Sequence, residues 1–286
     1  MQTLIVTATS DAYMPLFRGL LASLKHAGQL HPFDGIACLD VGLSPLNRHW
    51  VEQNVTHVVA PGWELTGIHE SIKDRSPHLR AMTSRPFLPR HFPGYDLYVW
   101  IDSDAWVQDP SALHALIDAA TGGAIAIVPE LDPSYAEDSE RDRRETQLRE
   151  YFGDAAAPLL HSNFYYNSGV FALLRDAPHW QAWANDMQKG VSASGGTMLC
   201  DQTALNHALW TRRLTVHPLP STCNWMCHLA VPVFDPQRRT LNDPLPPHAP
   251  IGIVHLADES KDTLVNYGPR FQRSLRYPHD EAVTAS

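Results

Sequence analysis

The sequence predicts an α/β fold with a Rossmann-like, mostly parallel central sheet and helices on both faces. Two observations lead to this prediction. Short β-branched and aliphatic runs alternate along the chain with longer stretches of helical apolar spacing, which is the pattern of βαβ units. The apolar run at residues 98–101 also ends directly in Asp102-Ser103-Asp104. Carboxylates that follow a strand in such a sheet point into the crevice where ligands bind.

The first part of the chain contains three of the predicted strands and the helices between them. Strands are predicted at residues 3–8, 35–40 and 57–60 from their β-branched and aliphatic content. Between the first two, Leu16, Leu20, Leu21 and Leu24 fall on one face of a helix spanning residues 15–30. Ser44-Pro45 is typical of the start of a second helix.

The rest of the chain continues this alternation around the aspartate strand. Prolines at 86 and 89 should break the helix predicted at residues 80–92. The segment 137–150 is densely charged and is predicted to be a solvated helix, and the proline-rich segment 218–250 an extended surface connection. Further strands are predicted at 124–128, 165–174 and 252–256, and further helices at 111–120, 178–188 and 201–209.

Composition and charge limit the classes of protein to consider. The chain has 286 residues, with 22 Lys and Arg against 31 Asp and Glu, a formal net charge of −9. This balance argues against nucleic-acid binding, which depends on cationic contacts to phosphates. A nucleotide ligand remains compatible, because a metal ion can neutralise a diphosphate locally.

Length and targeting signals predict one α/β domain over residues 1–265 and a C-terminal tail, residues 266–286, that need not be ordered. Three arginines make the tail a weak basic patch. The N-terminus lacks the features of a signal peptide, no apolar run is long enough to span a bilayer, and the four cysteines are few and scattered. We therefore expect a cytoplasmic protein with reduced thiols, for which peripheral contact with a membrane stays open.

Polar residues that border apolar runs are the candidates for chemistry. They are Asp102 and Asp104, Asn167-Ser168-Gly169, Asp201-Gln202, His255 and Lys261. Each has a simpler explanation: a turn, a helix cap, a buried histidine or a solvated lysine. Together they offer two carboxylates and an imidazole for a divalent cation, a lysine for phosphate, and amides for a polar substrate.

The order of these residues resembles that of the retaining GT-A-fold glycosyltransferases, the family of bacterial lipopolysaccharide galactosyltransferases and glycogenin. The family pattern is Asp-x-Asp, Asn-x-Gly, Asp-Gln, Leu-Pro-x-x-x-Asn, and a His followed by Lys six residues later. Here it corresponds to Asp102 to Asp104, Asn167 to Gly169, Asp201-Gln202, Leu219 to Asn224, and His255 with Lys261, in the same order. The resemblance covers residues 1–265.

The resemblance implies a role for each of these positions. Mn²⁺ (or Mg²⁺) would be held by Asp102, Asp104 and His255 and would bridge the two phosphates of a nucleotide-sugar. Thr7, Ala8, Thr9, Tyr13 and Ser103 would contact the donor nucleotide, and Lys261 a phosphate. Arg85, with Arg80 as its rival, would reach the donor sugar and phosphate. Asn167, Asp201 and Gln202 would line the sugar, and either Asp201 or Gln202 would take part in catalysis or only orient hydroxyl groups.

Three positions depart from the family pattern. Ser10 replaces an aspartate that follows the first strand, which weakens the expectation of a uridine base. Asp258 replaces a glycine three residues after His255, and Asp262-Thr263 replace a proline-tryptophan pair. A carboxylate beside the diphosphate repels it unless the side chain turns outward, which bears on the role of Lys261.

The predicted function is transfer of a hexose from a nucleotide-diphosphate sugar, UDP-glucose or UDP-galactose, to the hydroxyl of a saccharide, lipid-linked or protein acceptor. The resemblance implies retention of configuration. One alternative is a metal-dependent nucleotidyltransferase, although residues 7–15 contain no glycine or basic residue to hold a triphosphate. The other is a non-catalytic nucleotide-sugar binding protein, which the substitutions at Ser10 and Asp258 would fit.

Overall fold

The computed structural model describes residues 1–30, 32–135, 140–268 and 271–277. Its strands are β1 Thr3–Thr9, β2 Gly35–Asp40, β3 His57–Val59, β4 Leu97–Ile101, β5 Ala105–Val107, β6 Ile125–Pro129, β7 Tyr166–Leu174, β8 Val216–Pro218, β9 Trp225–Met226, β10 Val233–Asp235, β11 Thr240–Asn242, β12 Ile253–His255, β13 Leu264–Gly268 and β14 Phe271–Ser274. Its α-helices are α1 Met14–Leu30, α2 Pro45–Glu52, α3 Glu70–Arg75, α4 Arg80–Ser84, α5 Leu88–His91, α6 Pro110–Ala120, α7 Arg141–Phe152, α8 Leu159–Ser162, α9 His179–Ala193 and α10 Asp201–Arg212.

A seven-stranded sheet forms the centre of the molecule, in the order β3-β2-β1-β4-β7-β6-β8. The pairs β1–β2, β2–β3, β1–β4 and β6–β8 are parallel, whereas β7 runs antiparallel to both β4 and β6. The predicted mostly parallel α/β sheet is confirmed. The reversed direction of β7 was not predicted, and it places the start of β7 beside the end of β4.

Alternate residues of the central strands face two separate apolar layers. Val99 and Ile101 pack with α1 and α6 on one face, while Tyr98 and Trp100 pack with α9 and α10 on the other. All five residues of β4 are buried, as expected for a strand covered by helices on both faces. The helices on both faces are therefore confirmed as well.

A smaller three-stranded sheet, in the order β5-β12-β9, brings distant parts of the chain to the end of β4. In its register His255 pairs with Ala105, the residue after Asp104. The expectation that residues 218–250 form only a surface connection is wrong, because Trp225 is fully buried in an apolar cluster with Trp106 and Val254. Transfer of this large apolar side chain from water to the interior stabilises the fold, and a segment running along the surface would leave the side chain in water.

The charged helix is α7, which begins at Arg141; residues 137–139 of its predicted span lie outside the described residues. The predicted solvated helix has one buried face, formed by Arg144, Leu148 and Tyr151. Arg144 is buried because it pairs with a carboxylate rather than because the segment is apolar. The predicted break before β4 is a 3-10 turn at Arg85–Phe87, between α4 and α5.

The antiparallel hairpin of β13 and β14 follows the small sheet. The predicted boundary between residues 265 and 266 falls inside β13, and Trp106 Nε1 donates a hydrogen bond to the carbonyl of Leu275 at 2.9 Å. Arg270 and residues 278–286 of the predicted tail lie outside the described residues. All four cysteines are free thiols. Among the helices of the described ranges, none combines the length and apolar character that crossing a bilayer requires.

Candidate active site

A cleft of about 480 Å³ opens at the carboxyl ends of β1 and β4. Because β7 is antiparallel, its first residues rather than its last lie at this edge, and the Asp102 amide donates to the Gly169 carbonyl at 2.8 Å. Most of the predicted site residues line this cleft together. They are Ala8, Thr9, Tyr13, Arg85, Asp102, Ser103, Asp104, Asn167, Asp201, Gln202, His255 and Lys261.

Asp102, Asp104 and His255 form a compact group of potential metal ligands, here called the metal group. One donor atom of each lies within 4.8 Å of the others. His255 Nε2 lies 3.4 Å from Asp104 Oδ1 and 3.9 Å from Asp102 Oδ2. Gly169 makes this approach possible, since a Cβ there would lie 2.5 Å from the His255 ring and 2.7 Å from Asp102 Oδ2. Two carboxylates and one imidazole fit a hard or borderline divalent cation such as Mn²⁺ or Mg²⁺.

The pKa values of these three side chains are shifted in different directions. Burial alone would raise the pKa of Asp104, but the hydrogen bond and charge of His255, together with Lys261, lower it to about 2. Burial raises the pKa of Asp102, although the Arg85 guanidinium acts in the opposite direction. The His255 pKa is raised, because Asp104 and Asp102 outweigh the effect of its burial. A bound cation would compete with the proton on that ring.

Arg85 links the metal group to the predicted sugar site. Its guanidinium donates to the Asp102 carboxylate, to Asp201 Oδ2 at 2.6 Å and to Ser168 Oγ at 3.0 Å. It also lies over the Trp100 ring, with its central carbon 4.9 Å from the ring centroid. Its rival Arg80 instead donates to the carbonyls of Pro61 and Pro77. The geometry therefore favours Arg85 over Arg80 as the arginine next to the potential metal ligands.

The predicted sugar-site amides are fixed by hydrogen bonds. Gln202 Oε1 accepts from the Ser168 amide at 3.0 Å, and Gln202 Nε2 donates to Glu130 Oε1 at 3.0 Å. Asn167 Nδ2 donates to the same Glu130 oxygen at 2.8 Å. Asp201 is almost fully buried and paired with Arg85. One wall of the cleft is thus a set of polar groups with defined orientations.

Lys261 lies on the other side of the metal group. Its Nζ is 2.9 Å from Asp104 Oδ2 and 5.7 Å from the centre of the Tyr13 ring. Asp258, which also lines the cleft, has a 60% exposed side chain that faces His228 at 3.6 Å. Its backbone is left-handed, with φ of 51°, a conformation that glycine adopts without strain. This agrees with the glycine that the resemblance places there.

The end of β1 brings two of its three predicted donor-contact residues to the cleft. Ala8, Thr9 and the uncharged Ser10 line the cleft. Thr7 does not line it, because its side chain points into the interior and is fully buried. The neighbouring Asp11 accepts hydrogen bonds from Ser44 and Asn47 of the next unit, so it does not take the place of the aspartate missing at position 10.

Two further residues belong to the site although no role was predicted for them. Glu130 follows β6 directly, and its side chain is 5% exposed. Asn224, the last position of the Leu-Pro-x-x-x-Asn segment, is fully buried and its Oδ1 lies 2.9 Å from His255 Nδ1. A carboxylate after a predicted strand was the available signal for Glu130, the same signal that identified Asp102.

Comparison with known proteins gives a fold-level match. No protein-family model matches the sequence, and the curated proteins give no match either. Among solved structures, a complex of the galactosyltransferase LgtC with donor and acceptor sugar analogues is 20% identical with a TM-score of 0.58, covering 90% of this chain and 88% of LgtC. The bifunctional glycosyltransferase WbbM is 16% identical with a TM-score of 0.53, covering 92% of this chain and 47% of WbbM.

Mouse xyloside xylosyltransferase 1 is 14% identical with a TM-score of 0.51, covering 89% of this chain and 96% of its own. These three proteins are glycosyltransferases by their descriptions, and the match extends over nearly the whole of this chain. At such low identity the likeness carries the architecture and not the substrates. The protein has the fold of the GT-A glycosyltransferases.

Proposed function

We propose that the protein is a metal-dependent glycosyltransferase that moves a hexose from a nucleotide-diphosphate sugar, UDP-glucose or UDP-galactose, to an acceptor hydroxyl with retention. One observation carries the proposal. The potential ligands Asp102, Asp104 and His255 share a single cleft with the Arg85–Asp201 pair. The cleft lies at the strand ends, where sheets of this kind bind their ligands.

The chemistry that the cleft must support is departure of a nucleoside diphosphate. Cleavage of the glycosidic bond leaves negative charge on the diphosphate, and a divalent cation held by Asp102, Asp104 and His255 would neutralise it. Lys261, which is 2.9 Å from Asp104, is close enough to place a second positive charge there. Groups that stabilise this charge in the transition state more than in the ground state lower the barrier.

Asp201 and Gln202 serve this reaction by orienting the donor sugar. The Asp201 carboxylate accepts from Arg85 and Ser168, and these hydrogen bonds reduce its strength as a nucleophile. Gln202 has both ends of its amide engaged. We therefore assign to both a binding role toward sugar hydroxyls, while the retained configuration rests on the family resemblance.

The decisive experiment combines ligand binding with turnover. Thermal unfolding is measured with a panel of nucleoside diphosphates and their sugars, with and without Mn²⁺, because a ligand that binds the folded state raises the melting temperature. The best donor is then tested for Mn²⁺-dependent release of free nucleoside diphosphate. We expect UDP and a UDP-hexose to stabilise the protein, with stabilisation that depends on Mn²⁺.

The variant Asp104→Ala should abolish both the metal dependence and the release, while Asp118→Ala on the exposed surface of α6 should leave both unchanged. Full activity of Asp104→Ala would disprove the metal assignment. Binding of a UDP-sugar without any turnover would instead support a non-catalytic binding protein.

A further inference from the structure

A chain of hydrogen bonds, here called the relay, begins at the Glu130 side chain and ends at His255. Glu130 Oε1 accepts from Asn167 Nδ2 at 2.8 Å, Asn167 Oδ1 accepts from Asn224 Nδ2 at 3.0 Å, and Asn224 Oδ1 lies 2.9 Å from His255 Nδ1. Asn224 is fully buried, and Asn167 and His255 are nearly so. Buried polar groups of this kind are costly unless each donor meets an acceptor.

The polarity of this chain is fixed at its first amide by two groups that cannot reverse. The Gly169 backbone N–H can only donate, and it donates to Asn167 Oδ1 at 2.9 Å. The Glu130 carboxylate, when ionised, can only accept. Asn167 must therefore direct its oxygen toward Gly169 and Asn224, and its amino group toward Glu130.

Each following orientation is determined by the one before it. Since Asn167 presents an oxygen, Asn224 must present its amino group to it, which leaves the Asn224 oxygen facing His255. A neutral imidazole carries one proton, and Nδ1 has the nearer acceptor, since the Asn224 oxygen is 2.9 Å from Nδ1 whereas the nearest carboxylate oxygen is 3.4 Å from Nε2. The free electron pair is then on Nε2, the atom that faces Asp104 and Asp102.

Three side chains, those of Asn167, Gln202 and Arg144, donate to the Glu130 carboxylate. Arg144 of α7 donates to its Oε2, and the side chains of the pair are 6% and 5% exposed. Gln202 Nε2 shares Oε1 with Asn167, and the Glu130 amide donates to the Tyr165 carbonyl at 2.8 Å. Three donors converge on one carboxylate, so a glutamine of the same shape would have to turn an amino group toward at least one of them.

We propose that Glu130 is a positioning residue whose hydrogen-bond chain through Asn167 and Asn224 fixes the proton of His255 on Nδ1 and so keeps Nε2 available to a metal ion. That Nε2 serves to bind a metal ion rests on the proposed function, but the position of the His255 proton is a property of the metal-free protein. Hydrogen-bond partners of this kind set the tautomer and orientation of ligating histidines in metal sites. Here the partner is remote and acts through two amides.

The first test reads the tautomer directly. Ring ¹⁵N NMR of [¹⁵N]histidine-labelled, metal-free protein is recorded at a pH where the His255 ring is neutral, and the signal is assigned by its loss in His255→Gln. We expect the proton on Nδ1 in the wild type and a shift of the proton toward Nε2 in Asn224→Leu, because only the carboxylates then attract it. A wild-type ring with its proton on Nε2 would overturn the proposal.

The second test measures Mn²⁺ affinity from the electron paramagnetic resonance of the free ion, in the absence of the nucleotide-sugar and of the acceptor substrate. Asn224→Leu should bind Mn²⁺ roughly 10–100-fold more weakly, and Glu130→Gln should also bind more weakly. The double variant should lose no more than Asn224→Leu alone, since Glu130 acts through Asn224. Losses that add would mean that Glu130 acts only by its charge, and an unchanged affinity in Glu130→Gln would equally overturn the relay.

Controls separate the relay from folding and from the proposed function. Asn242→Leu removes another buried asparagine, on β11 and away from the cleft, and should leave Mn²⁺ affinity unchanged. If thermal unfolding shows that Asn224→Leu is not folded, Asn224→Ser replaces it in both tests with the same expected results. A wild type that binds no Mn²⁺ but carries its proton on Nδ1 would disprove the metal function and leave the relay standing.

Discussion

Gly169 permits the contact on which the metal group depends. It has no side chain between the His255 ring and the Asp102 carboxylate, and its amide donates to Asn167 at 2.9 Å. A Cβ at this position would approach the ring, the carboxylate and Asn167 Oδ1 at 2.5, 2.7 and 2.8 Å. Because His255 and Asn167 are buried and Asp102 accepts hydrogen bonds from Arg85 and Trp100, they cannot move without breaking the group that they form.

Gly169→Ala should therefore weaken metal binding. Overpacking of this kind costs about 1–3 kcal/mol, so we expect Mn²⁺ affinity to fall by about tenfold or more and the melting temperature to fall as well. Gly122→Ala is the matched control, because a Cβ at Gly122 would meet nothing within 4 Å. Equal Mn²⁺ affinities for the two variants, measured by calorimetry, would show that Asp102 and His255 do not act together.

Single residues of the cleft could be identified from the sequence where a local pattern and a suitable chemistry coincide. Asp102 and Asp104 follow a buried strand, and Lys261 lies in the same cleft, as expected. The roles of Glu130 and Asn224 could not be assigned in advance, since they depend on contacts with residues 37 and 31 positions away along the chain. A single carboxylate after a strand cannot be distinguished from an ordinary turn residue by sequence alone.

At the level of helices and strands, regular periodicity decided what could be predicted. The strands β1, β2 and β4 and the helices α1 and α6 were predicted close to their observed bounds because each has a sustained apolar pattern. The strands β5 and β9 have three and two residues, too few to establish a period, whereas β12 lies within the strand predicted at residues 252–256. The buried face of α7 was missed because ion pairing, rather than apolar residues, buries Arg144.

A buried ion cluster joins α9 to α10 and makes their packing sensitive to acid. Asp186 of α9 is fully buried and accepts from His207 at 2.7 Å and from Arg212 at 2.7 Å, both of α10. Burial alone would raise the pKa of Asp186, but these hydrogen bonds and charges hold it well below the ordinary value of 3.8. A carboxyl group with a lowered pKa stabilises the fold above its unfolded pKa, and this contribution is lost as the pH falls toward its folded pKa.

Asp186→Asn should reduce the free energy of unfolding by roughly 3 kcal/mol near neutral pH, because it leaves the Arg212 guanidinium without its buried partner. The difference between wild type and variant should stay constant down to about pH 5 and shrink below 3.8. Urea unfolding between pH 2 and 7 measures it, with Asp176→Asn, which changes an exposed carboxylate paired with Arg175, as the control. A gap that persists unchanged at pH 2 would contradict the assignment.

For the molecule as a whole, the sequence predicted the sheet architecture and the location of the cleft, but not how the later strands pair and pack. The reversed β7 and the small sheet depend on pairings between distant segments, for which one sequence gives no local signal. The hairpin of β13 and β14 is a further example. Its Val265 and Leu275 are buried, and the Tyr277 ring lies edge-on to Trp106 with centroids 5.3 Å apart.

Shortening the chain tests whether this hairpin belongs to the folded domain. A protein ending at residue 265 loses Leu275, its hydrogen bond with Trp106 Nε1 at 2.9 Å, and the Tyr277 contact, whereas one ending at residue 277 keeps all three. Removal of a buried leucine costs about 2–5 kcal/mol, so we expect the shorter protein to melt several degrees lower, with tryptophan emission shifted to longer wavelength as Trp106 meets water. The protein ending at 277, which keeps these contacts, should melt higher than the one ending at 265 and show tryptophan emission at shorter wavelength. Identical melting curves for the proteins ending at 265 and 277 would instead place the domain boundary at residue 265, because the hairpin would then add nothing to the stability of the sheet that holds His255.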